Sequence, residues 1–175
     1  MSNYIIVSDS HGEEKILADL VQRYPDAMIL HCGDSELSDS HPIFQQLTTV
    51  AGNCDFESEV KQGERFIQHG HDRIFLCHGH RYNVKQSPLN VMYAAMEHHA
   101  TIALFGHSHV PYVSYESSQD LLVLNPGSIV YPRILPAVKT YVHLETFETH
   151  YIVTWYNEQH QPLKTMTIER TSSHG

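Results

Sequence analysis

Short apolar runs alternate with amphipathic segments in the first half of the chain. The runs have the length and the aliphatic, β-branched character of buried strands, and they cover Tyr4–Ser8, Ala27–His31 and Leu47–Ala51. Between the first two runs, Glu13–Tyr24 places apolar side chains at helical spacing, and Pro42–Leu47 is a shorter helical segment. Strands that alternate with helices at this spacing predict parallel β-α-β units.

The second half of the chain is dominated by strands. Arg65–Gln68 and Arg73–Cys77 are predicted to form a hairpin, and one amphipathic helix, Pro88–Ala100, precedes a buried strand at Thr101–Phe105. The remaining apolar runs are all strand-like: Tyr112–Tyr115, Leu121–Leu124, Tyr141–Phe147, Tyr151–Tyr156 and Pro162–Glu169. Together the two halves predict a single α/β (α+β) domain over residues 1–175, in which two mixed β-sheets pack together with helices outside.

Composition narrows the classes of protein that this domain can belong to. The 175 residues carry a formal charge of −9, which disfavours a broad nucleic-acid or membrane footprint, since either needs clustered Lys and Arg. No apolar run approaches the roughly 18 residues of a membrane span, and no secretory signal precedes the first strand, so we expect a cytoplasmic protein. The 15 histidines outnumber the 11 Lys and Arg together, and only their placement can identify ligands among them.

Polar side chains recur where the predicted strands end. Five such clusters follow buried strands, and they contain Asp9 with His11, Asp34, Asn53, His78, and His107 with His109. Because the carboxyl ends of strands in an α/β sheet border the ligand-binding crevice, five clusters there favour one shared site. Gly33, Gly52 and Gly106 directly precede three of the polar residues, which suits a chain that turns sharply into the crevice.

The seven side chains form a set of metal ligands. Two carboxylates, one amide oxygen and four imidazoles, without any thiolate, suit divalent ions such as Mn²⁺, Fe²⁺, Ni²⁺ or Zn²⁺. Seven ligands are too many for one ion but suit two ions that share a bridging carboxylate, an arrangement often used to hydrolyse phosphoesters. Residues two apart share a face in extended chain, so we expect Asp9 with His11, and His107 with His109, to point into the same site.

The ordered clusters resemble the motifs of the calcineurin-like metallophosphoesterases. The resemblance runs over about residues 4–133 and is carried by Asp9-Ser10-His11, Gly33-Asp34, Gly52-Asn53-Cys54-Asp55, His78 and Gly106-His107-Ser108-His109. The short length, the Asn53-Cys54-Asp55 variant, His78-Gly79-His80 and Asn125-Pro126-Gly127-Ser128 are similar to the small YfcE-type phosphodiesterases. The resemblance implies a four-layer α-β-β-α sandwich and two divalent ions, with Mn²⁺ expected. It assigns Asp9, His11 and His109 to one ion and Asn53, His78 and His107 to the other, and Asp34 bridges the two.

Two positions depart from the superfamily pattern. Leu37 stands where the second motif usually has an aspartate, and Cys54 stands where a histidine is thought to protonate the leaving group. A neutral thiol is a poor acid, so the metal-binding half of the pattern is complete while the acid is altered. The sequence allows two alternatives at each of two positions: His80 faces either the site or the solvent, and Asp55 either caps a turn or orients a ligand.

The resulting prediction is a dinuclear metal-dependent phosphodiesterase. In this prediction a metal-bound water or hydroxide attacks phosphorus in line, and the catalytic residues are Asp34, Asn53, His78 and His80. The expected partner is a small-molecule phosphoester; a membrane is not expected, nucleic acid is disfavoured, and self-association into a homo-oligomer is left open. The alternative is a binding scaffold on the same fold, as in one retromer subunit, which could lose the ligands that are all present here. A nuclease would normally add a capping domain or a basic channel.

Overall fold

The computed structural model of the chain describes residues 1–56, 58–59 and 61–171. Residues 57, 60 and 172–175 of the predicted domain lie outside the described part. The described strands are β1 Ser2–Val7, β2 Met28–His31, β3 Thr48–Thr49, β4 Glu64–His69, β5 Asp72–Cys77, β6 Ile102–Leu104, β7 Tyr112–Glu116, β8 Leu121–Asn125, β9 Thr140–Thr146, β10 His150–Asn157 and β11 Pro162–Glu169. The α-helices are α1 Glu14–Arg23 and α2 Leu89–Glu97, and short 3₁₀ turns cover Pro42–Gln45 and His80–Tyr82.

The strands form two mixed sheets. The six-stranded sheet has the order β11-β10-β9-β1-β2-β3, with β1, β2 and β3 parallel and the rest antiparallel. The five-stranded sheet has the order β4-β5-β6-β8-β7, in which β5, β6 and β8 are parallel and β4 and β7 pair antiparallel at the edges. The predicted parallel units and the predicted hairpin are therefore both confirmed.

Alternate side chains of the central strands belong to two different buried clusters, one between the sheets and one under a helix. Ile6 and Leu30 of one sheet lie in the same buried cluster as Leu76 and Leu104 of the other, so this cluster fills the space between the sheets. On the outer faces, Ile5 packs in a cluster with α1, and α2 packs with residues of β5, β6 and β8. The layers are thus helix, sheet, sheet and helix, which confirms the predicted sandwich.

The third strand is shorter than the sequence predicts. Only Thr48–Thr49 pairs with β2, whereas the apolar run suggested Leu47–Ala51. The Ala51 N–H donates instead to the carbonyl of Gln62 at 2.7 Å, so a later loop replaces the sheet as its partner. No helix among the described residues has the length and apolar character needed to cross a membrane.

The carboxyl ends of the parallel strands meet at one edge of the sandwich. The N–H of Asp9, just after β1, donates to the carbonyl of Gly33, just after β2, at 3.1 Å. In the other sheet, the Gly106 N–H donates to the carbonyl of His78 at 2.9 Å. These bonds hold the loops that follow the strands side by side, so both sheets contribute residues to a single crevice.

Candidate metal centre

The loop side chains from both sheets converge at this edge. His78 Nε2 lies 3.2 Å from Asp34 Oδ2 and 3.1 Å from Asn53 Oδ1, and His109 Nε2 lies 3.1 Å from Asp9 Oδ1. Asp9, Asp34 and His78 are almost wholly buried. Ligand candidates that are far apart in sequence therefore come within a few ångströms of one another.

Three groups of potential metal-ligand atoms lie in this arrangement among the described residues: one consists of His11, Glu36 and Cys54, and the other two contain the predicted aspartate ligands. Asp9, His11 and His109 form the first of these two, which is the set that the resemblance assigns to one ion, and Asp9, Asp34 and His78 form the second. Within each group the ligand atoms lie within 4.8 Å of one another. The His107 ring lies outside all three groups but borders the group that contains Asp34, with its centroid 5.1 Å from that of His78.

Three imidazoles direct a lone pair toward the centre. His78 Nδ1 lies 2.7 Å from the carbonyl of Cys32, and His109 Nδ1 lies 2.6 Å from the carbonyl of Tyr131. A carbonyl only accepts hydrogen bonds, so each Nδ1 carries the proton and Nε2 is left free to bind a cation. His11 Nδ1 bonds the Glu36 carboxylate, which fixes the same tautomer in the third imidazole.

The candidate metal centre therefore contains more hydrogen-bond acceptors than donors to pair with them. Asp9 Oδ1 is buried and receives no hydrogen bond from any described group, although it lies among the Nε2 atoms of His109, His78 and His11 at 3.1, 3.8 and 3.9 Å. An unpaired buried carboxylate oxygen is costly. A divalent cation would satisfy this oxygen and the nearby lone pairs together, so the residues present fit a metal site.

The charges of the centre are mutually dependent. Burial disfavours the ionised form of Asp34 and Asp9, but hydrogen bonds and the neighbouring His78 or His109 hold the pKa of each carboxyl below its ordinary value. Burial opposes a charge on His78 as well, yet Asp34 and Asp9 raise its pKa. The pKa of His107 falls to about 4 because it is partly buried and lies near His78 and Lys85, which leaves a neutral imidazole.

The backbone reaches these positions by left-handed turns, not by extended chain. Asp9 and His11 have φ of 55° and 42°, and His107 and His109 have φ of 64° and 58°. Extended backbone is therefore the wrong reason for expecting each pair to point into one site, although Asp9 and His11 do lie in one group of ligand atoms. Asp34, with φ of 56°, follows the same rule. Non-glycine residues rarely adopt this conformation, and its concentration here is typical of a functional site.

The sequence predicts sharp turns at Gly33, Gly52 and Gly106, but the three glycines have two different roles. Gly33 has φ of +94° and turns the chain sharply, as predicted. Gly52 and Gly106 have no positive φ, so the predicted turn does not explain them. A Cβ at Gly52 would overlap the Asp34 carboxylate, and one at Gly106 would overlap Ser8 Oγ. These two glycines therefore let the backbone approach the acidic ligands closely.

Asp55 holds the loop that carries Asp34. Its Oδ2 accepts the N–H groups of Asp34 at 2.9 Å and Gly52 at 2.8 Å, and its Oδ1 accepts that of Glu36 at 2.9 Å. Lys61 Nζ lies 3.8 Å from the same carboxylate. Asp55 thus acts as a turn cap and, through that cap, fixes the position of a ligand, so the two sequence-based alternatives describe one role.

Cys54 and Leu37, which depart from the superfamily pattern, line one cavity. This cavity has a volume of about 400 Å³ and also contains Glu36 and Phe56. The backbone N–H of Cys54 donates to Asp34 Oδ1 at 2.7 Å. Burial, followed by the charge of Asp34, raises the pKa of the Cys54 thiol to about 11, so the thiol is neutral. Cys32 and Cys77 are buried and form no disulfide.

Sequence reasoning missed Glu36, whose carboxylate bonds His11. The available signal was its place two residues after Asp34, in the same loop.

His80 lies beside the centre and is half-buried, with its ring centroid 5.4 Å from that of His78 and 6.1 Å from that of His107. Its Nδ1 is buried without a hydrogen-bond partner among the described groups. Burial and the adjacent His78 lower the pKa of His80.

In the loop after β8, three backbone N–H groups already have side-chain hydrogen-bond partners, so these three are not free to bind a phosphate. The Gly127 N–H donates to Asn125 Oδ1 at 2.8 Å, and the N–H groups of Val130 and Tyr131 donate to Ser128 Oγ at 3.1 and 2.8 Å. Ser128 Oγ itself donates to the Asp9 carbonyl at 2.9 Å. This loop therefore supports the Asp9 turn.

Comparison with known proteins agrees with this geometry. Residues 3–149 match the calcineurin-like phosphoesterase superfamily domain. A probable metallophosphoesterase of Bacillus subtilis (strain 168), YsnB, is 41% identical over 134 residues, which cover 75% of this chain and 78% of that protein. The chain therefore belongs to the calcineurin-like phosphoesterase superfamily, which confirms the resemblance drawn from the motifs.

Solved structures show the same fold over nearly the whole chain. A conserved uncharacterized protein of Streptococcus pneumoniae TIGR4, described as a predicted phosphoesterase, superposes with a TM-score of 0.91 at 30% identity and covers 97% of this chain and 98% of its own. YfcE, a phosphoesterase from E. coli, has a TM-score of 0.69 at 17% identity, over 95% of this chain and 99% of its own. At that identity the likeness to YfcE shows the fold.

Proposed function

We propose that this chain is a dinuclear metal-dependent phosphodiesterase that acts on a small-molecule phosphoester. One observation carries the proposal: buried carboxylate oxygens and imidazole lone pairs converge on one point, and Asp9 Oδ1 has no described hydrogen-bond donor. A pair of divalent cations would satisfy these acceptors, and Mn²⁺ is the first candidate, with Fe²⁺, Ni²⁺ and Zn²⁺ as alternatives. When bound, such ions supply an activated water and compensate the charge of the phosphoryl oxygens.

The proposal divides the ligands between two ions. In this proposal Asp9, His11 and His109 hold one ion, and the second is held by Asn53, His78 and His107. Asp34 is proposed to bridge the two, as the family resemblance implies, although Asp9 is the residue common to the two groups of ligand atoms that contain an aspartate. One carboxylate oxygen faces His78, and the other accepts the N–H of Cys54, whose side chain groups with His11 and Glu36.

The other roles follow from the proton-bearing groups around the ligands. The Cys32 and Tyr131 carbonyls keep the Nδ1 protons of His78 and His109 in place, so both Nε2 atoms stay available. His80 presents an imidazole beside His78 and His107 and is proposed to contact the phosphoryl group or the departing oxygen. The neutral Cys54 thiol makes little contribution as an acid, so esters of acidic alcohols should be preferred.

A binding protein on the same fold is the competing function. Such a scaffold has no need for a complete ligand set, nor for a glycine that lets the backbone approach Asp34 closely. Here the seven ligand positions are filled, and Gly52 leaves room for the Asp34 carboxylate. These features favour the enzyme.

A panel of metals against phosphoesters tests the proposal. Chelated protein is titrated with Mn²⁺, Fe²⁺, Ni²⁺ or Zn²⁺ and assayed with bis(4-nitrophenyl) phosphate and 4-nitrophenyl phosphate. We expect no hydrolysis after chelation, recovery with Mn²⁺, faster cleavage of the diester, and about two ions per chain by elemental analysis. One ion or none in active, metal-replete protein would overturn the dinuclear assignment. Folded, metal-replete protein that cleaves neither ester with any of the ions would favour the scaffold.

A further inference from the structure

Tyr131 is an exposed aromatic residue that lies against the candidate metal centre. The residue is 59% exposed, and its ring centroid lies 5.3 Å from that of His11, with 49° between the ring planes. Since His11 belongs to one group of ligand atoms, the exposed ring borders the place where a phosphoryl group would bind.

The backbone of Tyr131 is fastened to the same centre. Its N–H donates to Ser128 Oγ at 2.8 Å, and its carbonyl accepts the Nδ1 proton of His109 at 2.6 Å. Ser128 Oγ in turn donates to the carbonyl of Asp9. The backbone of Tyr131 is therefore held at a fixed position relative to Asp9 and His109, and from there the exposed ring contacts His11.

A ring in this position suits a neutral planar group. A cationic group would be repelled by divalent ions held at His11 and His109. An aromatic group can lie against the tyrosine ring in an offset or edge-on arrangement, which adds to the burial of apolar surface on both rings. An aliphatic group would gain only the free energy of burying apolar surface.

We propose that Tyr131 is a specificity-determining residue that packs against an aromatic ring carried by the substrate. The inference rests on the proposed function, because it places the phosphoryl group at the metal centre. It narrows the substrate class to phosphoesters in which an aromatic ring lies close enough to phosphorus to reach Tyr131. Two sources share this chemistry: an aryl ester and a nucleotide, whose base is farther from its phosphorus.

Binding of phosphonates to the Mn²⁺-loaded protein tests the contact without any chemical step. Calorimetry gives the Kd of phenylphosphonate and of methylphosphonate, which differ by the ring, for the native protein, Tyr131→Leu and Tyr131→Phe. We expect the native protein to prefer phenylphosphonate. Tyr131→Leu should reduce this preference by about 2- to 12-fold, the range that aromatic pairing provides, and Tyr131→Phe should keep it.

Tyr93→Leu provides the matched control. Tyr93 lies on α2 and is 58% exposed, nearly the same as Tyr131, but it is not part of the site. Tyr93→Leu should leave the preference for phenylphosphonate over methylphosphonate unchanged. A second pair of ligands, adenosine 5′-monophosphate and ribose 5-phosphate, distinguishes the sources: a preference lost only in the phosphonate pair identifies an aryl ester, and one lost in the nucleotide pair identifies a nucleotide.

The inference fails if Tyr131→Leu changes neither preference. It fails too if the native protein binds both members of each pair equally, a result that does not depend on any variant folding. Failure of the proposed function looks different, since it is the absence of hydrolysis or of metal binding in the native protein. A native enzyme that hydrolyses diesters and shows no ring preference would overturn the role of Tyr131 alone.

Discussion

Asp9 and Asp72 are buried carboxylates at opposite ends of the sandwich, and their neighbours differ in kind. Asp72, 2% exposed, begins β5, and its Oδ2 accepts the hydroxyl protons of Tyr4 at 2.7 Å and Thr146 at 2.6 Å. Asp9, 0% exposed, follows β1, and its Oδ1 has no described donor but three imidazole nitrogens nearby. Equal burial thus accompanies opposite hydrogen-bonding environments.

The difference lies in what each carboxylate still needs. Asp72 is satisfied by hydroxyl groups of the other sheet, so its role is to join the two sheets. Asp9 lies among acceptors, so a cation is needed to satisfy it. The backbones differ accordingly, because Asp72, Tyr4 and Thr146 lie within regular strands whereas Asp9 has φ of 55°. Burial by itself therefore does not identify a functional carboxylate; the type of neighbour does.

The most severe test of this comparison exchanges each carboxylate for an amide. Asp9→Asn removes a negative charge from the acceptor-rich end, so one or both ions should be lost. Because bound metal provides several kcal/mol of transition-state stabilisation, we expect kcat/KM for bis(4-nitrophenyl) phosphate to fall by about 100-fold or more. Steady-state kinetics at saturating Mn²⁺ measures the effect.

Asp72→Asn is the control for that exchange. It weakens two charge-assisted hydrogen bonds, so the free energy of unfolding should fall by about 1 kcal/mol in urea titrations while kcat/KM stays unchanged. Equal losses of activity in both variants would show that the two ends do not differ in function. The comparison would then rest on stability alone.

The bridging carboxylate gives the next largest expected effect. If Asp34 contacts both ions, Asp34→Asn should weaken both binding events, because the repulsion between two dications is then less well compensated. His11→Ala should weaken chiefly one event. Calorimetric titration of chelated protein with Mn²⁺ separates the two, and two unweakened events in Asp34→Asn would contradict the bridging role.

Much of this architecture could be predicted from the sequence, for identifiable reasons. The apolar runs that became β1, β2 and β5 have few alternatives to burial, so their existence followed from pattern. The left-handed turns at Asp9 and His109 could not be predicted, because they depend on bonds such as Asp9 N–H to the Gly33 carbonyl. Contacts between loops, such as Glu36 with His11, are equally invisible in one sequence without alignment.

Replacing Glu36 tests whether metal binding around Asp9 depends on residues that orient the ligands. The Glu36 carboxylate bonds His11 Nδ1 and so fixes the tautomer that leaves Nε2 free. Glu36→Gln should weaken binding of one Mn²⁺ ion by about 10- to 100-fold, the usual effect of losing a group that orients a metal ligand. Glu116→Gln is the control, because the Glu116 carboxylate bonds Ser118 at the end of β7 and belongs to no group of ligand atoms among the described residues. Equal affinities in the two variants would remove the positioning role of Glu36.

Cys54→His offers the smallest and most specific change, since it adds a proton donor to an end that holds mainly acceptors. Cys54 lines a cavity of about 400 Å³ beside Glu36 and Leu37, so an imidazole has space there. A well-positioned general acid contributes roughly 10²–10⁴-fold. No aspartate stands at position 37 to orient the new ring, so we expect a gain below about tenfold, limited to esters with poor leaving groups.

The measurement for Cys54→His is the slope of log rate against the pKa of the leaving group at saturating metal. The native protein should show a steep negative slope, because its neutral thiol gives the departing oxygen little help, and the variant should show a shallower one. Cys54→Ser, which keeps the size but adds no acid, should retain the native slope. A native slope already near zero, with the chemical step rate-limiting, would mean that another residue supplies the proton. His80, whose ring lies beside His78 and His107, would then be the residue to replace next.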